Sequence, residues 1–238
     1  MLRTDDVHAL LQCTTEPSLK TTLGRLGNML GFKYALLGVR KFMDNGQMQD
    51  HIVSDYPAEW RVHYDQNHYS EIDPTVRHCL AHSTPIIWSP SLRHAQAHAG
   101  LFEEAASHQL RMGVSCPLAG KPGEFCMLSL ALDQEGNAVD RLIDMMLPQC
   151  LMLACFAYEG IRNIQGQAQP SAEIELTQRE REALRWAASG KVGWEIASIM
   201  RIAESTVVFH LKNAVQKLKV RNRREAVARA LCLGLITL

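Results

Sequence analysis

Residues 176–236 read LTQREREALRWAASGKVGWEIASIMRIAESTVVFHLKNAVQKLKVRNRREAVARALCLGLI. Thr177 followed by Glu180 is a capping-box pattern, in which each side chain reaches the other residue's backbone N–H. It opens a helix that runs to about Ser189, where Gly190 stops it. A short helix over 194–200, a tight turn over 201–204, a longer helix over 205–218 and a last helix over 222–234 follow. A short helix, a turn and a longer helix inside a four-helix unit is the order of a helix-turn-helix domain.

The helix over 205–218 has two faces. Val207, Leu211, Ala214 and Leu218 recur at helical spacing and point to a core. The other face carries Thr206, Val208, Phe209, Lys212, Asn213, Gln216 and Lys217. A solvated face seldom shows a valine and a phenylalanine side by side. A helix entering a DNA major groove does so, because apolar groups meet thymine methyls there. Lys212 suits guanine or a phosphate, and the amides of Asn213 and Gln216 suit adenine. Lys217, Lys219, Arg221, Arg223 and Arg224 add cations for phosphates. The competing reading is a solvated charge run on a small helical bundle.

Charge supports the first reading. The 238 residues are neutral overall. Yet residues 1–170 carry 13 Lys+Arg against 18 Asp+Glu, and residues 171–238 carry 12 against 7. A basic small domain beside an acidic larger one places a polyanion contact at the C-terminal end. Hydrophobic residues at 47% and charged residues at 21% exclude a disordered chain or a coiled-coil rod.

Outward from this domain, 163–175 (NIQGQAQPSAEIE) lacks large apolar residues and reads as a linker. Before it, helices and strands mix. Leu19, Leu23, Leu26 and Leu30 mark a helix over 15–30 stopped by Gly31. Residues 33–40, 85–88, 112–118 and 124–132 read as strands, the last two joined by residues 119–123. Residues 57–66, 74–82 and 99–110 read as helices, and a long apolar one covers about 138–162. An antiparallel sheet between layers of helices accommodates this order. The long helix is apolar on enough sides to meet both the sheet and a partner subunit, with a kink at Pro148. No apolar stretch reaches the roughly 20 residues of a membrane span. The nearest, 142–158, contains Asp144, Pro148 and Gln149. The opening MLRTDDVHALL has no apolar run, so no secretory signal is expected. Seven scattered cysteines without a C-x-x-C pair fit a reducing, cytoplasmic setting.

Several N-terminal residues invite a functional question. Tyr56, Trp60 and Tyr64 are four apart and share a helix face, with Arg61 adjacent. Asp73 precedes Pro74 and Thr75, Trp88 ends a strand, and Ser129 interrupts an apolar one. Each has an ordinary explanation: core aromatics, a helix N-cap, a small residue in a buried strand.

The C-terminal residues resemble the LuxR-type helix-turn-helix: Glu180, Leu184, Gly190, Glu195-Ile196-Ala197, Thr206-Val207, His210, Asn213 and Lys217-Leu218 fall in its pattern. Ala203 departs from it, standing where a capping Ser is usual, and Ser205 is the alternative cap. The segment YPAEWRVHYDQNHYSEIDPTVRHC (56–79) resembles the acyl-homoserine-lactone-binding domain of the same family of quorum-sensing regulators. The resemblance implies a sensor domain over 1–162, a linker over 163–175 and a DNA-binding domain over 176–238. It implies that Asp73 accepts the ligand amide N–H, that Trp60 donates to the lactone carbonyl, and that Tyr56 and Ser129 donate to the acyl carbonyl. It further implies Trp88 against the lactone ring, Tyr64 along the acyl path, Arg61 toward a 3-oxo group, and Thr75 beside the site. Leu36, Gly38, Val76, Cys79, Leu110, Met127 and Leu128 are candidates for the acyl wall. It implies a homodimer on an inverted-repeat site in double-stranded DNA, a contact with RNA polymerase, and no cofactor beyond the effector.

Three rivals remain in view. The pairs His78/His82 and His94/His98 have metal-ligand spacing on a helix, without an H-E-x-x-H or cysteine partner. A lactone-processing enzyme would need a nucleophile, but Ser129 has no G-x-S-x-G elbow. A regulator of the same fold could answer a different small molecule.

Overall fold

The computed structural model describes residues 2–42, 48–93, 99–120, 124–168 and 175–237. Chain contacts divide it into two compact units. Of the described residues, the larger comprises 2–40, 50–93, 99–119 and 125–168, and the smaller comprises 175–237 with 41–42, 48–49, 120 and 124.

The larger unit begins with helices α1 (Thr4–His8) and α2 (Glu16–Met29), then strands β1 (Tyr34–Phe42) and β2 (Met48–Ser54). Helices α3 (Ala58–Gln66) and α4 (Pro74–Ala81), strand β3 (Ile86–Ile87), and helices α5 (Pro90–Arg93) and α6 (Ala99–Ser107) follow. Strands β4 (Met112–Ala119) and β5 (Glu124–Leu132) precede the long helix α7 (Asn137–Ala168). The five strands form one antiparallel sheet in the order β2-β1-β5-β4-β3. The β4–β5 register sets Ser115 opposite Ser129.

Strand alternation divides this sheet into two environments. Ala35, Leu37 and Val39 of β1 join Val114 and Cys116 of β4 and Cys126, Leu128 and Leu130 of β5 in one apolar core. Leucines of α2 and the inner face of α7 (Ile143, Cys150, Leu153, Ala157, Ile161) complete that core. The opposite sheet face looks into a second cluster with Tyr56, Trp60, Tyr64, Trp88, Leu101, Phe102 and Leu110. Gly113 makes this second packing possible: a Cβ there would come within 3.1 Å of the Trp88 ring and 2.5 Å of the Leu130 carbonyl.

Three expectations need correction. Strand β2 was not anticipated, because its sequence MQDHIVS buries only Val53 and reads as polar surface. Helix α7 extends to Ala168, so the expected linker is helical over 163–168; residues 169–174 lie outside the described part. α7 is continuous through Pro148, which is exposed and whose missing donor leaves only one bond unmade. Finally, Asn137–Gly166 is long and apolar enough to cross a membrane by length and composition, its most apolar 18-residue window having a mean hydropathy of 1.3. The charges Asp140, Arg141, Asp144, Glu159 and Arg162 sit toward its two ends and leave 145–158 uncharged.

The smaller unit holds α8 (Gln178–Ala188), α9 (Gly193–Met200), α10 (Glu204–Lys217) and α11 (Arg223–Cys232). The Thr177–Glu180 capping box is formed. Val207, Leu211, Ala214 and Leu218 are buried with Leu184, Ile196 and Met200. The start of α10 is also settled: Ala203 is the N-cap and offers no side-chain bond, so Ser205 lies inside the first turn and does not cap.

Candidate ligand cavity and DNA-reading helix

Between the second sheet face and helices α3, α4 and α6 lies a cavity of about 110 Å³. Tyr56, Trp60, Arg61, Tyr64, Asp73, Thr75, Trp88, Leu110, Met127 and Ser129 all line it, as do Leu36, Gly38 and Val76. Cys79 and Leu128 do not. Leu128 is one residue out of phase with Met127 and Ser129, so it faces the other core. Cys79 is buried among apolar neighbours, which pushes its thiol pKa up to about 12.

The polar groups collect toward one end. Asp73 is the N-cap of α4, and its Oδ1 accepts from the Thr75 backbone N–H and hydroxyl, both at 2.7 Å. Its Oδ2 accepts from the Tyr64 hydroxyl at 2.9 Å. Each carboxylate oxygen has two acceptor sites, so Asp73 retains capacity. Trp88 Nε1 donates to Ser115 Oγ at 3.0 Å, and Ser115 Oγ lies 2.8 Å from Ser129 Oγ. The Tyr56 hydroxyl is buried with no hydrogen-bond partner among the described residues. Burial, then the charges of Asp55 and Asp73, raise its pKa far above the ordinary tyrosine value, so it stays a neutral donor. Ser129 lies near enough to oppose that rise slightly without forming a well-aligned bond. The Arg61 guanidinium sits 4.9 Å from the Tyr64 ring centre and pairs with Asp65 at 2.7 Å.

The rest of the lining is apolar apart from Ser70 and from Arg40 of β1, which pairs with Asp50 of β2. Outside the wall, Glu104 of α6 accepts from Tyr69 at 2.7 Å and lies 2.6 Å from His63 Nε2 on α3. The Tyr69 bond, then the His63 bond, hold the Glu104 pKa below its ordinary value.

Sequence reasoning missed Val39, Arg40, Asp50, Ile52, Ser70, Leu101, Phe102, Ala105 and Phe125 of the lining, and Ser115, which bonds Trp88 and Ser129. Ser115 carried the same signal as Ser129, a hydroxyl inside an apolar strand; only the strand register shows that they meet. Arg40 and Asp50 gave no signal, because their role depends on β2.

On α10, Val208 and Phe209 are 57% and 58% exposed, an apolar pair facing solvent at the start of the helix. Lys212 and Gln216 are exposed on the same side, while Thr206 and Asn213 are half-buried. Arg221 and Arg224 are exposed beyond the helix end. Lys217 is exposed too, and its ammonium binds Glu180 Oε2 at 2.8 Å, tying α10 to α8. Arg223 donates to the Lys191 carbonyl. Ala226 and Ala230 of α11 are fully buried in the unit's own core, which removes them from any surface for a second copy. The His78 and His82 rings lie 4.6 Å apart, and His78 Nε2 bonds to the Thr84 carbonyl at 2.8 Å. His94 and His98 lie outside the described residues. Among the described residues, no three His, Cys, Asp or Glu side chains gather as a metal site.

An apolar cavity with a polar end, on one chain with a helix-turn-helix that exposes apolar and cationic groups, defines a ligand-responsive transcription regulator. The comparisons agree with that class. Residues 15–161 match the autoinducer binding domain family, and residues 175–230 match the bacterial regulatory proteins of the luxR family. The transcriptional activator VanR of Vibrio anguillarum is 34% identical over 234 residues, spanning 94% of this chain and 93% of VanR. The activator AnoR of Acinetobacter nosocomialis is 32% identical, spanning 98% of both chains. The crystal structure of Escherichia coli SdiA superposes with a TM-score of 0.77 at 25% identity, covering 96% of this chain and 95% of that one. The chain belongs to the LuxR family of quorum-sensing transcriptional activators, with an autoinducer-binding domain and a helix-turn-helix DNA-binding domain.

Proposed function

We propose that the autoinducer is an N-acyl-homoserine lactone and that the cavity holds it by its polar head. The observation that carries this reading is the buried, unpartnered Tyr56 hydroxyl beside Asp73 and Ser129. A buried donor without a partner costs about 1–3 kcal/mol. An acyl carbonyl would remove that cost. Asp73 would accept the amide N–H, and Trp60, whose indole N–H makes no hydrogen bond here, would donate to the lactone carbonyl. Ser129 would reinforce the acyl carbonyl, Trp88 would pack on the ring, and Tyr64 and Arg61 would border the chain. Such a ligand buries its apolar tail and satisfies the polar end together.

In this reading the regulator works in the cytoplasm as a homodimer on an inverted-repeat DNA site, where it meets RNA polymerase. Thr206, Val208, Phe209, Lys212, Asn213 and Gln216 read bases, and Arg221 and Arg224 hold phosphates. The domain limits follow the roles: sensor through 162, connection over 163–175, DNA-binding domain from 176. Mass spectrometry of small molecules released from protein purified out of lactone-fed cells tests the ligand. Recovery of an intact acyl-homoserine lactone at near one per chain is the expected result. A different compound at that occupancy would replace the ligand class, and an opened lactone would indicate hydrolysis.

A further inference from the structure

The cavity has a second polar element that head-group binding leaves unused. Arg40 and Asp50 line it and are joined at two points, Nε to Oδ1 at 2.6 Å and Nη2 to Oδ2 at 2.7 Å. Two parallel charge-assisted bonds of this kind fix both side chains. Their side chains are 27% and 46% exposed, so the pair touches water on its far side.

Strand geometry locates the pair along the cavity. A Cβ on Gly38 would lie 3.7 Å from Met127 Cγ. Along antiparallel β1 and β5, that register sets Leu36 near Ser129, Gly38 beside Met127, and Arg40 near Phe125. Residues rise about 3.3 Å each along a strand, so Arg40 and Phe125 stand about 13 Å beyond Leu36 and Ser129. The head group and the ion pair therefore occupy opposite ends of one apolar passage, with Met127 between them.

We propose that the Arg40–Asp50 ion pair is a stop that sets the upper limit of acyl-chain length. This rests on the ligand class proposed above. A chain that ends at Met127 is covered by apolar surface. A longer chain must press methylenes against two paired charges that already contact water. It gains little burial there, and to pass it must part the pair, leaving each charge without its partner beside an apolar tail. The passage accepts short and medium chains and rejects long ones.

The test is a dose–response series of straight-chain lactones, butanoyl to dodecanoyl, on the full-length protein driving a reporter, with thermal shifts on the same purified protein. Arg40→Leu/Asp50→Ala removes the charges and opens the end; Arg40→Met alone is the second variant, and a melting curve of each establishes folding. The wild type is expected to respond to dodecanoyl-homoserine lactone at least about tenfold more weakly than to its best ligand. In the variants the optimum is expected to move toward longer chains by roughly two carbons, because each further methylene can then be buried. An unchanged chain-length profile in a folded variant overturns the stop while leaving the lactone reading intact. A folded wild type that responds to no member of the series overturns the lactone reading, and the stop with it.

Discussion

Tyr56 and Asp73 show how single polar groups divide between holding the fold and awaiting a ligand. Tyr56 places a neutral hydroxyl in apolar surroundings with nothing to bond. Tyr56→Phe should therefore leave the unliganded melting temperature unchanged or raise it. The same change should weaken ligand binding by about 0.5–1.5 kcal/mol, the net worth of one hydrogen bond. Paired melting and titration curves measure both, and a clear loss of unliganded stability would show that the hydroxyl serves the fold. Asp73 already serves α4 and Tyr64. Asp73→Asn keeps a capping oxygen but loses the charge, so ligand sensitivity should fall by about 1.5–3 kcal/mol while melting changes little. Equal ligand response in that variant would leave only the capping role. The head-group end of this site was legible in the sequence because its residues fall within a motif on α3 and α4. Ser115, Arg40 and Asp50 were not, since what brings them to the cavity is strand pairing.

The elements carry their own tests. Helix α10 begins at Ala203 without a side-chain cap. Ala203→Ser supplies one and should stabilise the DNA-binding unit by about 1 kcal/mol; an unchanged melting temperature would count against an open cap site. Glu180 joins α8 to α10. Burial favours its neutral form, but the bonds from Lys217 and Thr177 outweigh burial and leave its pKa below 4.5. A carboxylate depressed in the folded state adds stability above its unfolded pKa, and that stability is lost as pH falls through the folded value. Acid unfolding of this unit should therefore flatten in Glu180→Gln, read by circular dichroism below about pH 5; an identical acid limb would contradict the role given to this pair. On the exposed side, Lys212→Ala should cost about 1–3 kcal/mol on the specific duplex and little on a scrambled one, whereas Arg224→Ala should weaken both and lower the salt slope. Equal losses on both duplexes from Lys212→Ala would remove it from the reading face. The four C-terminal helices were legible from caps and periodicity. The bond from Lys217 to Glu180 was not, because a helical stripe alone does not say which neighbour each residue meets.

At the scale of the molecule, the sequence showed an apolar-cored sheet domain and a basic helical one, because composition and charge differ sharply between them. It concealed the last turns of α7, because the polar stretch from 163 reads as a linker while the helix continues to Ala168. The role proposed for the whole chain is that a lactone enters the sensor cavity, replaces water at its polar end and stabilises the folded sensor. A ligand that binds only the folded state adds RT ln(1 + [L]/Kd), about 2.7 kcal/mol at 100 times Kd. The direct measurement is a melting curve of the full-length protein with and without acyl-homoserine lactones of graded length. A saturable rise in melting temperature, diminished in Asp73→Asn, is the expected result. A folded protein whose melting temperature moves with no member of the series would contradict the account.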